Sequence, residues 1–140
     1  MTAAAASRLF LPVLALLASS CAAPPPPPPL ADLGGTDWHV ALVNGRQTPT
    51  TGDYSLHFGR DGRFGARFGC NSMGGTYQIV GGTLIVSNLA QTLMGCPEPA
   101  ASFESQGAAV LGQPMQIAFT SNERLSLSNA AGSIAADPVT

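Results

Sequence analysis

The chain is poor in charged residues, and it contains no lysine at all. Only 10% of its 140 residues are charged, and the eight acidic residues and six arginines leave a formal net charge of −2. This weak and slightly acidic balance provides neither a basic patch for nucleic acid nor an acidic run for cation storage. We therefore expect no nucleic-acid partner.

Cysteine is also scarce, and its spacing excludes the common metal motifs. The three cysteines, Cys21, Cys70 and Cys96, include no Cys-x₂-Cys pair of the kind that zinc sites use. A nucleophilic cysteine needs a base to form its thiolate. The only histidines, His39 and His57, lie on strand-like runs where the sequence signals no acidic residue to orient them. The expectation is a protein with no catalytic residue, no metal ion and no cofactor.

No apolar run reaches the twenty or so residues that a transmembrane helix needs. The longest, Leu9 to Ala18, follows one arginine and precedes small residues, which is the layout of a secretory signal. With Cys21 directly after it, segment 1–20 resembles a bacterial lipoprotein signal whose lipobox is Leu17-Ala18-Ser19-Ser20-Cys21. The resemblance implies that Cys21 is lipidated and anchors the chain to a membrane. Ala22, where an Asp would indicate retention in the inner membrane, favours an outer-membrane lipoprotein facing the periplasm. A plain secretory signal is the alternative.

A stiff spacer separates this signal from the rest of the chain. Pro24 to Pro29 are consecutive prolines, which lack amide donors and favour the polyproline II conformation. At about 3.1 Å per residue they would span roughly 20 Å. We predict a lipidated Cys21 and a spacer over residues 21–31, followed by a single small domain over residues 32–140.

The domain consists of short alternating runs separated by turn residues, with one helical segment. The helix is predicted over Ala100 to Leu111, between Pro99 and Gly112. Residues 46–53 are predicted to form a loop, and residues 88–94 an irregular crossing. The fold class is mainly β: a small antiparallel curled sheet or barrel of seven to eight strands with one α-helix. The strands are predicted over residues 38–43, 54–58, 63–68, 76–80, 83–87, 115–120, 125–128 and, weakly, 132–136.

These runs also carry an ordered set of short motifs. They are Trp38 followed by Leu42-Val43-Asn44-Gly45, the hairpin Phe58-x-x-Asp61-Gly62-Arg63-Phe64, Gly69-Cys70-Asn71 with Gly75-x-Tyr77, Thr92-x-Met94-x-Cys96, and Glu104 before Leu111. In this order they resemble the META domain of HslJ-type heat-shock lipoproteins. The resemblance implies a barrel-like antiparallel fold with a helix, in envelope or secreted proteins. It implies no established catalytic activity and no accepted ligand.

Cys70 and Cys96 remain after lipidation of the third cysteine. In an exported protein two such cysteines usually pair, so we predict a disulfide between them. Two alternatives remain open: buried reduced thiols, or a copper(I) site in which Met73 and Met94 complete a set of soft donors.

The signal that resembles a lipoprotein signal and the resemblance to the META domain together predict a non-enzymatic, membrane-anchored envelope lipoprotein. The resemblance implies a role in envelope maintenance or stress tolerance, which we expect to be exercised through contacts with an unknown envelope protein. The alternative is a secreted or periplasmic inhibitor, or a barrel that binds a ligand. The aromatic residues, which lie mostly on the inward phase of their strands, are expected to form the core. They are Trp38, Tyr54, Phe58, Phe64, Phe68, Tyr77, Phe103 and Phe119.

Overall fold

The computed structural model describes residues 21–23, 32–120 and 122–140. The predicted signal peptide and the proline run lie outside these residues. Cys21 is exposed and forms no disulfide within the described part of the chain. No helix in that part is long and apolar enough to cross a membrane. The elements are β1 Thr36–Val43, β2 Arg46–Gln47, β3 Tyr54–Phe58, β4 Arg63–Phe68, β5 Ser72–Val80, β6 Thr83–Gln91, α1 Ala100–Leu111, β7 Met115–Phe119, β8 Leu125–Asn129 and β9 Gly132–Pro138.

Eight of the strands form a closed antiparallel barrel. The hydrogen-bonded order is β1-β3-β4-β5-β6-β7-β8-β9, and β9 closes the barrel by pairing with β1, for example at Val43 and Ile134. The two-residue strand β2 pairs with the end of β1. Closure gives the backbone groups of β9 partners on two sides, and it explains why a run with weak strand character becomes a full strand. The predicted mainly β fold with one helix is confirmed.

The core fills the inside of the barrel with alternating side chains. Along β3, Tyr54, Leu56 and Phe58 are buried, and they face Phe68, Ala66 and Phe64 of β4 in register. The Phe58 ring packs 5.3 Å from that of Phe64 and 5.1 Å from that of Tyr77, the latter edge-on. Such pairs add to the free energy of apolar burial.

The hairpin of β5 and β6 is longer than predicted at the end away from its turn. β5 starts at Ser72 instead of residue 76, and β6 continues to Gln91, through most of the predicted irregular crossing. A β-bulge between Gly74 and Thr76 carries the pairing past the glycines. A Cβ atom on Gly75 would lie 2.5 Å from the carbonyl oxygen of Ser87, so the close approach of the two strands requires glycine. The predicted loop 46–53 likewise contains β2.

Helix α1 packs on the barrel near β1, β4 and β9. Its Phe103 ring meets the Tyr54 ring edge-on at 5.6 Å and lies under the guanidinium of Arg46, 4.0 Å away. The expectation that Phe119 belongs to the core is wrong. Phe119 is the last residue of β7, where its ring is 38% exposed beside Trp38.

Candidate functional site

A buried asparagine connects the start of β5 to the helix. Asn71 is 2% exposed, and it binds both carboxylate oxygens of Glu104, which is 9% exposed. The backbone N–H of Asn71 donates to Glu104 Oε2 at 2.9 Å, and its side-chain Nδ2 donates to Glu104 Oε1 at 2.8 Å. Hydrogen bonds to a charged acceptor are stronger than neutral ones, so this contact ties α1 to the barrel.

The same asparagine side chain binds the backbone of the segment after β6. The N–H of Met94 donates to Asn71 Oδ1 at 2.8 Å, and the Met94 carbonyl accepts from Asn71 Nδ2 at 3.1 Å. The Thr92 hydroxyl also donates to Asn71 Oδ1, at 2.8 Å, and accepts from the N–H of Ser72 at 3.1 Å. We call Asn71, Thr92, Met94 and Glu104 the asparagine clamp.

A disulfide also holds the segment that follows β6. Cys70 and Cys96 are bonded, and their Cα atoms are 6.0 Å apart. Cys96 Sγ lies 3.2 Å from Asn71 Nδ2 and 3.8 Å from Glu104 Oε2. A disulfide sulfur has no hydrogen to donate, so Asn71 Nδ2 is the donor to Cys96 Sγ, and the contact between Cys96 Sγ and the Glu104 oxygen is a van der Waals contact. Residues 92–99, which we call the clamped loop, are therefore held both covalently and by hydrogen bonds.

The clamped loop exposes apolar side chains on this fixed backbone. Leu93 is 87% exposed and Met94 is 59% exposed. A concavity of about 330 Å³ separates the loop from α1. Its walls come from the end of β6, from the loop and from one face of the helix: Gln91, Met94, Cys96, Ala101, Glu104, Ser105 and Ala108.

A larger concavity, of about 520 Å³, lies elsewhere on the barrel, where Asp32, Trp38, Phe119 and Glu123 contribute to its walls. The indole of Trp38 is 6% exposed, so it offers little surface for stacking. Its Nε1 donates to Thr36 Oγ1 at 2.8 Å, which uses its only donor inside the protein. The clamped loop, with buried polar groups and an exposed tip, is the stronger candidate site.

Two further motif residues form the turn between β1 and β2. Asn44 and Gly45 both have a positive φ there, of 51° and 75°. Asn44 Oδ1 accepts from the N–H of Ser133 at 2.9 Å, and this bond connects the turn to β9. The role of this pair is structural.

The hairpin turn between β3 and β4 contains Asp61 and Gly62. Asp61 Oδ1 accepts from the N–H of Arg63 at 3.1 Å, and the Gly62 carbonyl accepts from the N–H of Tyr77 at 2.9 Å. The Tyr77 hydroxyl donates to the Gly59 carbonyl at 2.9 Å. Burial raises the pKa of Tyr77, and the negative charges of Asp32 and Asp61 raise it further.

Gly69 bends the chain between β4 and Cys70. Its φ is +97°, and its N–H donates to the Asp53 carbonyl at 2.8 Å. A Cβ atom at this position would collide with the Tyr54 ring, and a positive φ is unfavourable for residues with a side chain. Gly69 is therefore needed to direct Cys70 and Asn71 toward the clamped loop.

Neither of the other chemistries considered for the cysteines matches the geometry. Met73 is 3% exposed in the core whereas Met94 points outward, and both sulfurs of Cys70 and Cys96 are used in the disulfide. The ligand atoms that do converge are those of Cys70, Cys96 and Glu104, which lie within 4.8 Å of one another.

His57 pairs with an aspartate across two neighbouring strands. His57 Nδ1 is 2.6 Å from Asp37 Oδ1, and both side chains are more than half exposed. The pair arises because Asp37 of β1 and His57 of β3 face each other in register. A cross-strand pairing of this kind is not visible before the register is known.

Sequence reasoning placed Glu104 only as a motif residue and missed its role in the clamp. A signal was present, because Glu104 follows Phe103 and precedes Gly107 and Leu111 on the face that α1 buries. An acidic side chain on an otherwise apolar helix face needs a buried donor. The described residues contain no buried side-chain nitrogen or oxygen without a partner.

Comparisons with known proteins agree with this architecture. The sequence profile of the META domain family matches residues 31–136. A protein structure determined by NMR is 22% identical, with a TM-score of 0.65, and the alignment covers 75% of this chain and 90% of the other. A second NMR structure, of a protein from Burkholderia xenovorans, is 20% identical with a TM-score of 0.63, covering 77% and 84% of the two chains. The comparison with curated proteins found no match.

Proposed function

The chain belongs to the META domain family, and on that premise we propose that it is a non-enzymatic docking module that binds another envelope protein through the clamped loop. The observation that carries this proposal is the contrast between the tip of the loop and its base. Leu93 at the tip is 87% exposed, whereas Asn71 at the base is 2% exposed. The Asn71 side chain both donates a hydrogen bond to the loop backbone and accepts one from it, at Met94.

A rigid loop with an apolar tip is suited to protein recognition. Burial of a leucine side chain by a partner contributes about 1.5–3 kcal/mol. A loop that is already ordered loses little conformational entropy on binding, so more of that free energy appears as affinity. Met94 and the neighbouring concavity of about 330 Å³ enlarge the surface that a partner could cover.

The alternative of a barrel that binds a ligand inside receives less support. Buried side chains from the barrel strands, such as Val40, Phe58, Leu84 and Leu127, occupy the interior. The inhibitor alternative is compatible with the same loop, because an inhibitor of a hydrolase is a docking module whose partner is an enzyme. Activity assays on the captured partner would separate the two cases.

We further propose that the module is displayed on a lipid anchor. Cys21 is exposed, and the six prolines after it provide the spacer that a tethered domain needs. In this arrangement the clamped loop would work close to the membrane, in envelope maintenance or stress tolerance. Metabolic labelling with palmitate tests the anchor: the parent chain should be labelled and Cys21→Ser should not.

A photo-crosslinking amino acid tests the docking surface. Placed at Leu93, it should give a discrete crosslinked product in envelope preparations. Placed at Val80, which is 57% exposed at the turn between β5 and β6, it should not. Leu93→Asp should abolish the product from a probe at Met94, whereas Val80→Asp should leave it unchanged. Equal crosslinking from positions 93 and 80, or none from position 93, would contradict the proposal.

A further inference from the structure

Glu104 is a buried carboxylate for which the described residues supply no cation. Glu104 is 9% exposed. It takes part in none of the ion pairs among the described residues. Its partners are the backbone and side-chain N–H groups of Asn71, which are neutral. Buried charges in proteins are normally paired with an opposite charge or with a metal ion.

One sulfur atom lies at a distance from this carboxylate that suits metal binding, and a second sulfur is close by. In a tetrahedral zinc site, Zn–S and Zn–O bonds of about 2.3 and 2.1 Å separate the sulfur and oxygen ligands by roughly 3.6 Å. Cys96 Sγ and Glu104 Oε2 are 3.8 Å apart. The Cys70 sulfur completes a group in which all ligand atoms lie within 4.8 Å of one another.

We propose that the reduced form of the protein binds a zinc-class divalent cation through Cys70, Cys96 and Glu104. The disulfide form cannot do so, since its sulfurs are neutral and bonded to each other. Reduction by a dithiol supplies two electrons and two protons: the Cys70–Cys96 bond breaks, two thiols form, and the reductant becomes a disulfide. The cation then replaces both thiol protons, which are released, and the site carries two thiolates and one carboxylate.

The groups around this site fit such a role. Asn71 Nδ2 is 3.2 Å from Cys96 Sγ and 2.8 Å from Glu104 Oε1, so one amide group orients a sulfur ligand and the carboxylate together. Each Glu104 oxygen accepts one hydrogen bond from Asn71 and keeps a lone pair for the metal. The concavity of about 330 Å³ is lined by Cys96 and Glu104, and it offers a route of entry and space for a water molecule as fourth ligand.

The mixture of ligands selects the class of cation. Two thiolates exclude magnesium and calcium, which take oxygen ligands, and the carboxylate oxygen is a poor ligand for copper(I). Zinc and cobalt(II) accept both sulfur and oxygen in tetrahedral geometry. Cobalt is the useful probe, because cobalt(II) thiolates absorb strongly whereas cobalt(II) in water is nearly colourless.

The experiment titrates Co²⁺ into the full-length chain carrying Cys21→Ser, purified in detergent, so that Cys70 and Cys96 are its only thiols. The chain reduced with a phosphine under anaerobic conditions should develop sulfur-to-cobalt absorption at one Co²⁺ per chain, and Zn²⁺ should bleach it. The oxidised chain should develop none. Circular dichroism of the same samples records whether the reduced chain is folded.

Matched variants make the outcome decisive. Glu104→Gln keeps the size of the side chain and removes its charge, and it should weaken Co²⁺ binding at least tenfold. Glu98→Gln, at an exposed carboxylate just before α1, should bind as the parent does. Cys70→Ser should abolish the charge-transfer absorption. Absence of that absorption at millimolar Co²⁺, or equal affinity of Glu104→Gln and the parent, would overturn the proposal; the second result would indicate binding by two free thiols of an unfolded chain.

Discussion

Gly107 of α1 lies directly against the ring of Phe68 in β4, with no space for a Cβ atom between them. A Cβ built on Gly107 would be 2.6 Å from two of the ring carbons of Phe68, far inside van der Waals contact. Glycine within a helix costs about 1 kcal/mol relative to alanine. Because Gly107 has no side chain, α1 can pack closely against Phe68 of β4. This close packing places Glu104, one turn earlier in the helix, within hydrogen-bond distance of Asn71.

This contact predicts the sign of one substitution. Gly107→Ala should destabilise the protein by about 1–3 kcal/mol, because overpacking against Phe68 outweighs the gain in helix propensity. Urea unfolding measures the change. Ser105→Ala, at an exposed position on the same helix, should change stability by less than about 0.5 kcal/mol. An increase in stability for Gly107→Ala would show that the helix does not pack as closely as described.

The asparagine clamp should be important for stability as well as for the shape of the loop. Asn71→Ala removes the side-chain donor to Glu104 Oε1 and the acceptor of the Met94 N–H, while the backbone N–H of residue 71 still donates to Glu104 Oε2; we expect a cost of about 2–3 kcal/mol. Chemical denaturation gives the loss in stability, and limited proteolysis should then cleave the clamped loop faster. The matched control is Asn122→Ala, at an exposed turn. Identical proteolysis of the parent and Asn71→Ala would argue against the clamp.

The Cys70–Cys96 bond should contribute a large share of the stability. It closes a loop across a sequence separation of 26 residues. In the chain-entropy treatment such a bond adds about 3.5 kcal/mol to the free energy of unfolding. The double variant Cys70→Ser, Cys96→Ser should lose about that amount, and Cys21→Ser should lose none. Mass spectrometry of the purified, unreduced protein should show no free thiol at residues 70 and 96; full alkylation of both before reduction is the contrary result.

The two tyrosines predict a loss of stability at alkaline pH. Burial is the main cause that raises the pKa of Tyr54 and of Tyr77, and the unfolded chain keeps the ordinary tyrosine pKa of about 10. Above that pH the unfolded state releases the proton more readily, so the free energy of unfolding falls until the folded pKa is passed. With no lysine in the chain, few other groups titrate there.

Tyr77→Phe isolates this effect. It removes one of the two titrating hydroxyls, so the variant should lose less stability than the parent between pH 9 and the alkaline end of the titration. At neutral pH it should be less stable by about 1 kcal/mol, because the hydrogen bond to the Gly59 carbonyl is lost. Denaturation curves recorded at several pH values measure both effects. A pH dependence unchanged from the parent would contradict the assignment.

Much of the local structure follows from the order of residues along the chain. Alternation of polar and apolar side chains predicts β3 and β4 to the residue, and the helix spans Ala100–Leu111 as predicted. These predictions succeed because a strand or helix with one buried face leaves its own period in the sequence.

Other features could be decided only by contacts between segments distant in sequence. β9 becomes a complete strand because β1 lies beside it. β5 extends to Ser72 because β4 pairs with it there and β6 supplies partners from Met73 onward, past the bulge. Hydrogen bonds of this kind depend on register, which local propensity does not encode. The position of Glu104 on the apolar face of α1 indicates a buried donor, but only the fold identifies that donor as Asn71.

The sequence by itself determined most of the alternating strands, the helix and the turns, since each depends on neighbouring residues. Only the tertiary structure decided that the barrel closes, that Gly107 must remain small, and that Asn71 binds both Glu104 and Met94. Each of these depends on atoms separated by many residues, which meet only when the whole chain packs around one core.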